Sequence, residues 1–165
     1  MNFVSPVLRL FDRVAPPETV SAHCDIPCGI YDPHAAQIAA LTVLRMDQLI
    51  EGLTTEGAAR ENSFVRYVKV KEEHGEIVKR ELNILWHDYF RPEHLEKYSD
   101  LHTTFWNANK LASRNKQNVD VAAATELLTA TNRIAEIFWE TKGVATRKAG
   151  SNQAVGGELV YVDNK

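Results

Sequence analysis

An all-α fold, specifically an antiparallel four-helix bundle, is what this sequence predicts. Three observations lead there. Four stretches carry apolar residues at helical spacing. Polar or proline-bearing segments separate them. The 165 residues, 44% hydrophobic and 25% charged, have the make-up of one globular domain with its own core.

The elements follow in order. Asp32-Pro33 reads as an N-cap followed by proline at the first helical position. Helix one then runs from 33 to about 53, with Ile38, Thr42, Met46, Leu49 and Leu53 on one face. Leu41, Leu44 and Ile50 are apolar off that face, so this helix needs a second buried contact, such as a subunit interface. The polar stretch 54–62 reads as a loop, after which Asn62 or Ser63 caps helix two. Its apolar series is Phe64, Val68, Val78, Leu82, Leu85 and Tyr89, and Pro92 stops it. Ser99 caps helix three, which runs through Leu101, Phe105 and Leu111 to a polar loop at 113–118. Asn118 caps helix four, which carries Val121, Leu127, Leu128, Ile134, Phe138 and Trp139 and ends before Gly143. Residues 143–165 read as a flexible tail, within which 159–162 either pair as a short strand or stay disordered. There is no internal repeat.

Composition excludes several roles. The net charge is −3 and basic residues form no long run, which argues against nucleic acid as a partner. No apolar run approaches the roughly 18 residues that cross a membrane. Two cysteines make no disulfide framework.

Residues 1–22 differ in character from the rest. Pro6, Arg9, Asp12 and Arg13 interrupt any apolar core of a secretory signal. The segment reads as a removable leader of a cytoplasmic protein, cut after the small residue Ala22; a plain N-terminal arm is the rival reading.

Both cysteines fall in the stretch that follows, His23-Cys24-Asp25-Ile26-Pro27-Cys28-Gly29. Pro27 bends the chain between two thiols, and His23 adds an imidazole. This is a metal-binding hook ahead of the bundle, with one side-chain donor fewer than a closed structural zinc site. A cut after Ala22 changes the count. The freed amine of His23 and the backbone nitrogen of Cys24 then join the two thiolates. Two nitrogens and two sulfurs in a plane suit a square-planar ion such as Ni(II). The spacing alone equally suits a thiol–disulfide redox sensor built on Cys24 and Cys28, and a helical assembly module needing neither cysteine stays open.

HCDIPCGIYDP at 23–33 resembles the hook of the nickel superoxide dismutase family almost residue for residue. LWHDYFRPEHLEKYSDLH at 85–102 and IAEIFWETK at 134–142 are similar to later stretches of that family, so the resemblance covers residues 23–142. It implies a four-helix bundle assembled as a homohexamer. It implies disproportionation of superoxide to dioxygen and hydrogen peroxide by a nickel ion cycling between Ni(III) and Ni(II). It makes His23, Cys24 and Cys28 the metal ligands, and it implies a processing peptidase. Asp25 would support the hook backbone, and Tyr31 and Tyr89 would flank the open face. In an uncut chain the hook would not take its metal-bound geometry. Two departures stand out. The family's glutamate and arginine that steady the axial histidine correspond to Ala39 and His74 here. The other histidines, His34, His87, His94 and His102, read as solvated or structural, and Arg91 as a local attractor of anions.

Overall fold

A computed structural model describes residues 28–163. Four long helices make the body: α1 (His34–Glu51), α2 (Gly57–Ile84), α4 (Leu101–Gln117) and α5 (Val121–Thr141). Between α2 and α4 lie a wide π turn (Leu85–Tyr89) and the short helix α3 (Pro92–Lys97). An antiparallel hairpin follows α5, with β1 (Thr146–Gly150) paired to β2 (Glu158–Val162), Thr146 opposite Val162 and Gly150 opposite Glu158. The long helices close a ring of neighbours: α1 packs on α2, α2 on α4, α4 on α5 and α5 on α1. Val43, Val78, Leu82, Leu101, Leu127, Ile134 and Phe138 fill the centre, all essentially inaccessible to water.

The boundaries shift where polar sequence turns out to be helical. Residues 57–62 belong to α2, because Ala58, Ala59, Arg60 and Glu61 are good helix formers and need no apolar face at an exposed helix end. The stretch 113–117 completes α4; there Ser113 donates back to the Asn109 carbonyl and Asn115 to that of Leu111. The cap of α5 is Asp120, not Asn118, and its Oδ1 accepts the Ala123 N–H at 2.9 Å. That bond is the main reason the Asp120 carboxyl sits below its ordinary range, with Arg114 adding to it. Asp100, not Ser99, precedes α4. Pro92 stops the preceding helix and also opens α3 at its first position.

The core face of α1 differs from the expected one. Ala36, Ala39, Ala40, Val43 and Leu44 are buried, while Ile38 is exposed and Thr42, Met46 and Leu49 lie at the margin. Alanines set this face because they let α1 approach α2 and α5 closely. Two polar residues share it: Gln37 and Asp47, both at most 1% exposed.

The second contact demanded by the apolar flank of α1 comes from within the chain. Residues 143–163 are no loose tail, since the hairpin packs Leu159 and Val160 against the bundle. Gly143, at φ +68°, turns the chain out of α5 in a conformation only glycine takes readily. Gln37 Nε2 donates to Asn132 Oδ1 at 2.8 Å, and Asn132 Nδ2 donates to the Glu158 carbonyl at 2.8 Å. Gln48 Nε2 donates to the Val155 carbonyl at 3.1 Å. The polar groups of α1 and α5 thus fix the hairpin, which pays for burying them.

Candidate metal centre

His23, Cys24 and Asp25 lie outside the described residues, as does the geometry of the uncut hook. Cys28, Tyr31 and Tyr89 lie inside them. Cys28 is exposed, on chain that belongs to no helix. Beyond it, Pro33 packs into the body and the Asp32 carboxylate accepts the His34 N–H at 2.7 Å, which starts α1. Tyr31 is half-buried between these points.

Tyr89 comes from the other side of the molecule, as the last residue of the π turn. The Phe90 N–H reaches the Leu85 carbonyl at 2.9 Å, a bond one residue longer than the α-helical repeat. The wide turn swings Tyr89 against the Tyr31 ring, with centroids 5.6 Å apart and planes tilted by 54°. Phe138 at 4.5 Å and Phe90 at 5.1 Å hold its other edges. His94 stacks on it at 5.8 Å and 15°. The His94 ring is itself held, because its Nδ1 accepts the Arg91 N–H at 3.1 Å. Lys142 places its ammonium 5.3 Å from the Tyr89 centroid.

These residues enclose an open pocket of about 440 Å³, lined by Gly29, Tyr31, Asp88, Tyr89, Arg91, Glu93 and His94. Its walls combine phenol rings, one guanidinium and an imidazole, and the backbone next to Cys28 forms its rim. The donor chemistry on that rim suits a borderline-soft metal, because a thiol on exposed, non-helical chain is free of the packing that makes buried cysteines inert.

Structure brings Tyr31, Tyr89 and the neighbour of Cys28 together, as the sequence expects. It does not bring Ala39 or His74 to them. Ala39 is packed in the core with no polar side-chain atom. His74 Nδ1 lies 2.8 Å from the Val70 carbonyl of its own helix. Neither lines the pocket. Sequence reasoning also passed over Thr141, whose Oγ1 lies 2.6 Å from the Tyr89 hydroxyl; an isolated threonine at a helix end carries no signal. His94, read from sequence as solvated or structural, supports a pocket wall.

Comparison with known proteins gives one answer. The model of the family described as nickel-containing superoxide dismutase matches residues 18–142. A protein of Streptomyces seoulensis named superoxide dismutase [Ni] is 40% identical over 136 residues, covering 81% of this chain and 96% of that protein. Its namesake from Streptomyces coelicolor is 40% identical over 134 residues with the same coverage. Among solved structures, a native nickel superoxide dismutase superposes with a TM-score of 0.66 at 36% identity, over 73% of this chain and 99% of that one. A crystal structure with nickel ligation corresponding to the oxidised state gives 0.67 at 37% identity, with the same coverage. The hairpin after α5 lies beyond the matched residues, whereas the pocket and all four long helices lie within them, and the chain belongs to the nickel-containing superoxide dismutase family.

Proposed function

We propose that this protein is a nickel-dependent superoxide dismutase whose hook residues His23, Cys24 and Cys28 hold the ion at the rim of the tyrosine pocket. One observation carries the reading: the chain leaving Cys28 runs straight into a pocket walled by Tyr31 and Tyr89. When bound, the nickel ion supplies the one-electron chemistry that turns two superoxide anions and two protons into dioxygen and hydrogen peroxide.

The rest is work for the chain itself. His23 offers its imidazole and, once residues 1–22 are removed, its terminal amine. Cys24 offers a thiolate and its backbone nitrogen, Cys28 a second thiolate, and Asp25 steadies the backbone between them. Tyr31 and Tyr89 narrow the approach, so that a small anion and a few waters reach the rim while larger reductants do not. Arg91 on the pocket wall draws an anion inward against the −3 charge of the whole chain.

In this reading the precursor is matured by a peptidase cutting after Ala22, in the cytoplasm. Among the described residues no helix is long and apolar enough to cross a membrane. Assembly as a homohexamer is supported by large apolar residues left exposed on several elements, Ile38, Val65, Trp106 and Val119.

N-terminal mass spectrometry combined with nickel analysis and superoxide decay tests the proposal. The expected active protein starts at His23 and carries nickel. Full activity in a nickel-free protein still starting at Met1 would overturn it. Cys28→Ser is expected to lose both nickel and activity while keeping the helical circular dichroism signal.

A further inference from the structure

We propose that Thr141 is a positioning residue: it fixes the direction of the Tyr89 O–H, so that Tyr89 offers the pocket lone pairs rather than a proton. The inference rests on the reading of Tyr89 as a wall of the superoxide pocket.

The direction follows from counting protons. Thr141 Oγ1 donates to the Phe138 carbonyl at 2.6 Å. A carbonyl oxygen only accepts, and a threonine hydroxyl has one proton to give. With that proton committed, the 2.6 Å contact between Thr141 Oγ1 and the Tyr89 hydroxyl is filled by the Tyr89 proton. A phenolic O–H prefers the plane of its ring, which leaves two directions. One now points at Thr141, and the other carries a lone pair.

The ring cannot turn to escape this. Phe138, Phe90, Tyr31 and His94 contact it from different sides, and the Lys142 ammonium lies over it. Thr141 is equally fixed, as the last residue of α5. The Tyr89 oxygen is therefore held in place with one open direction and an acceptor in it.

The consequence is selective. Superoxide is an anion without a proton to donate, so it finds no hydrogen-bond partner at Tyr89 while the Thr141 link holds. Water and the protonated product do. Thr141 thereby makes Tyr89 a holder of the proton-bearing species, and the donor facing the anion comes from another group of the pocket.

Thr141→Val keeps the shape and removes the acceptor; Thr141→Ser keeps it. Two readouts are needed. The first is the tyrosine ring doublet in ultraviolet resonance Raman spectra of the metal-free full chain, whose intensity ratio separates hydroxyl donors from acceptors. Subtracting the Tyr89→Phe spectrum isolates Tyr89. The expected Tyr89 signal is that of a donor in the unsubstituted protein and in Thr141→Ser, moving toward an acceptor in Thr141→Val. The second is superoxide decay in the nickel-loaded enzyme. The value of one hydrogen bond corresponds to a fall in kcat of about fivefold in Thr141→Val. No change in kcat/KM is expected, because the charges that govern encounter are untouched, and Thr141→Ser restores kcat. A Tyr89 Raman signal unmoved by Thr141→Val overturns the assigned direction. A moved signal with unchanged kcat overturns the positioning role. Full activity in Tyr89→Phe would instead strike at the pocket reading, leaving the Raman result to stand by itself.

Discussion

Tyr31 and Tyr89, which meet at a centroid distance of 5.6 Å, come from opposite ends of the fold: one precedes α1, the other closes the turn after α2. Neither has a neighbour in sequence that orders it. Tyr89 is seated by Phe90, Phe138 and His94, and Tyr31 leans on Tyr89.

That dependence predicts a measurable coupling. Tyr31→Ala and Tyr89→Ala should show a coupling energy in folding of about 1 kcal/mol, the value of an aromatic pair beyond simple burial. The effects on superoxide decay should likewise be less than additive, since either change opens the same wall. Urea denaturation and pulse radiolysis of the two single variants and the double variant check both. Strict additivity would mean that Tyr31 is held by something else.

A second prediction concerns Asp47 and Lys71, an ion pair at 3.5 Å between α1 and α2 with both side chains at most 2% exposed. Lys71 Nζ also donates to the Asn118 carbonyl, whereas neither Asp47 oxygen has a close hydrogen-bond partner. Lys71→Met strands a buried carboxylate and should cost about 3–5 kcal/mol. Adding Asp47→Leu should recover most of that loss, because a well-packed apolar pair replaces a poorly solvated ionic one. Denaturant midpoints of the three variants decide it.

The same carboxyl gives a pH dependence. Burial pushes Asp47 above the ordinary carboxylate range, against the pull of Lys71. A carboxyl raised in the folded state binds its proton more tightly there than in the unfolded chain. Its contribution is therefore favourable at low pH and is lost as pH rises from the unfolded value, about 3.9, through the folded one. Asp47→Asn removes this term. The stability of the variant minus that of the unsubstituted protein should thus increase with pH across that window. Urea titrations from acid to neutral pH measure the slope, and a slope of opposite sign would make the lysine, not burial, the governing influence.

How much of this was legible in the sequence depends on the physics behind each element. Helix α5 was readable because Leu127, Ile134 and Phe138 announce a core stripe. The face of α1 was not, because alanine is a weak hydrophobic signal and a strong packing one. Asp47 and Lys71 read as surface residues, since charge in sequence says nothing about a partner on another helix. Polar helix ends at 57–62 and 113–117 passed for loops, because periodicity needs an apolar face to be seen. At the site, Tyr31 and Tyr89 were marked by their motifs, but Thr141 was not. Its importance comes from one oxygen placed by the end of a helix.

The hairpin offers a fourth prediction. Gly157 sits at φ +73°, and a Cβ there would come within 3.0 Å of Leu128 Cδ2 and 3.4 Å of Leu41 Cδ1. Gly157→Ala should therefore cost more than about 1 kcal/mol, through both strain and contact. Asn132→Ala should cost about 1–3 kcal/mol, because it leaves Gln37 and the Glu158 carbonyl without a partner. Thermal melts of both variants, with the Tyr161 environment followed by fluorescence, test whether the hairpin comes away before the bundle.

The wide turn at 85–89 has a consequence for what this chain tolerates as it diverges. One surplus residue in that turn sets the bearing of Tyr89, and deleting a residue anywhere in the stretch would rotate everything downstream by about 100°. The tyrosine would then face away from Tyr31 although every amino acid of the pocket was still present. Divergence can exchange side chains here more safely than it can change their number.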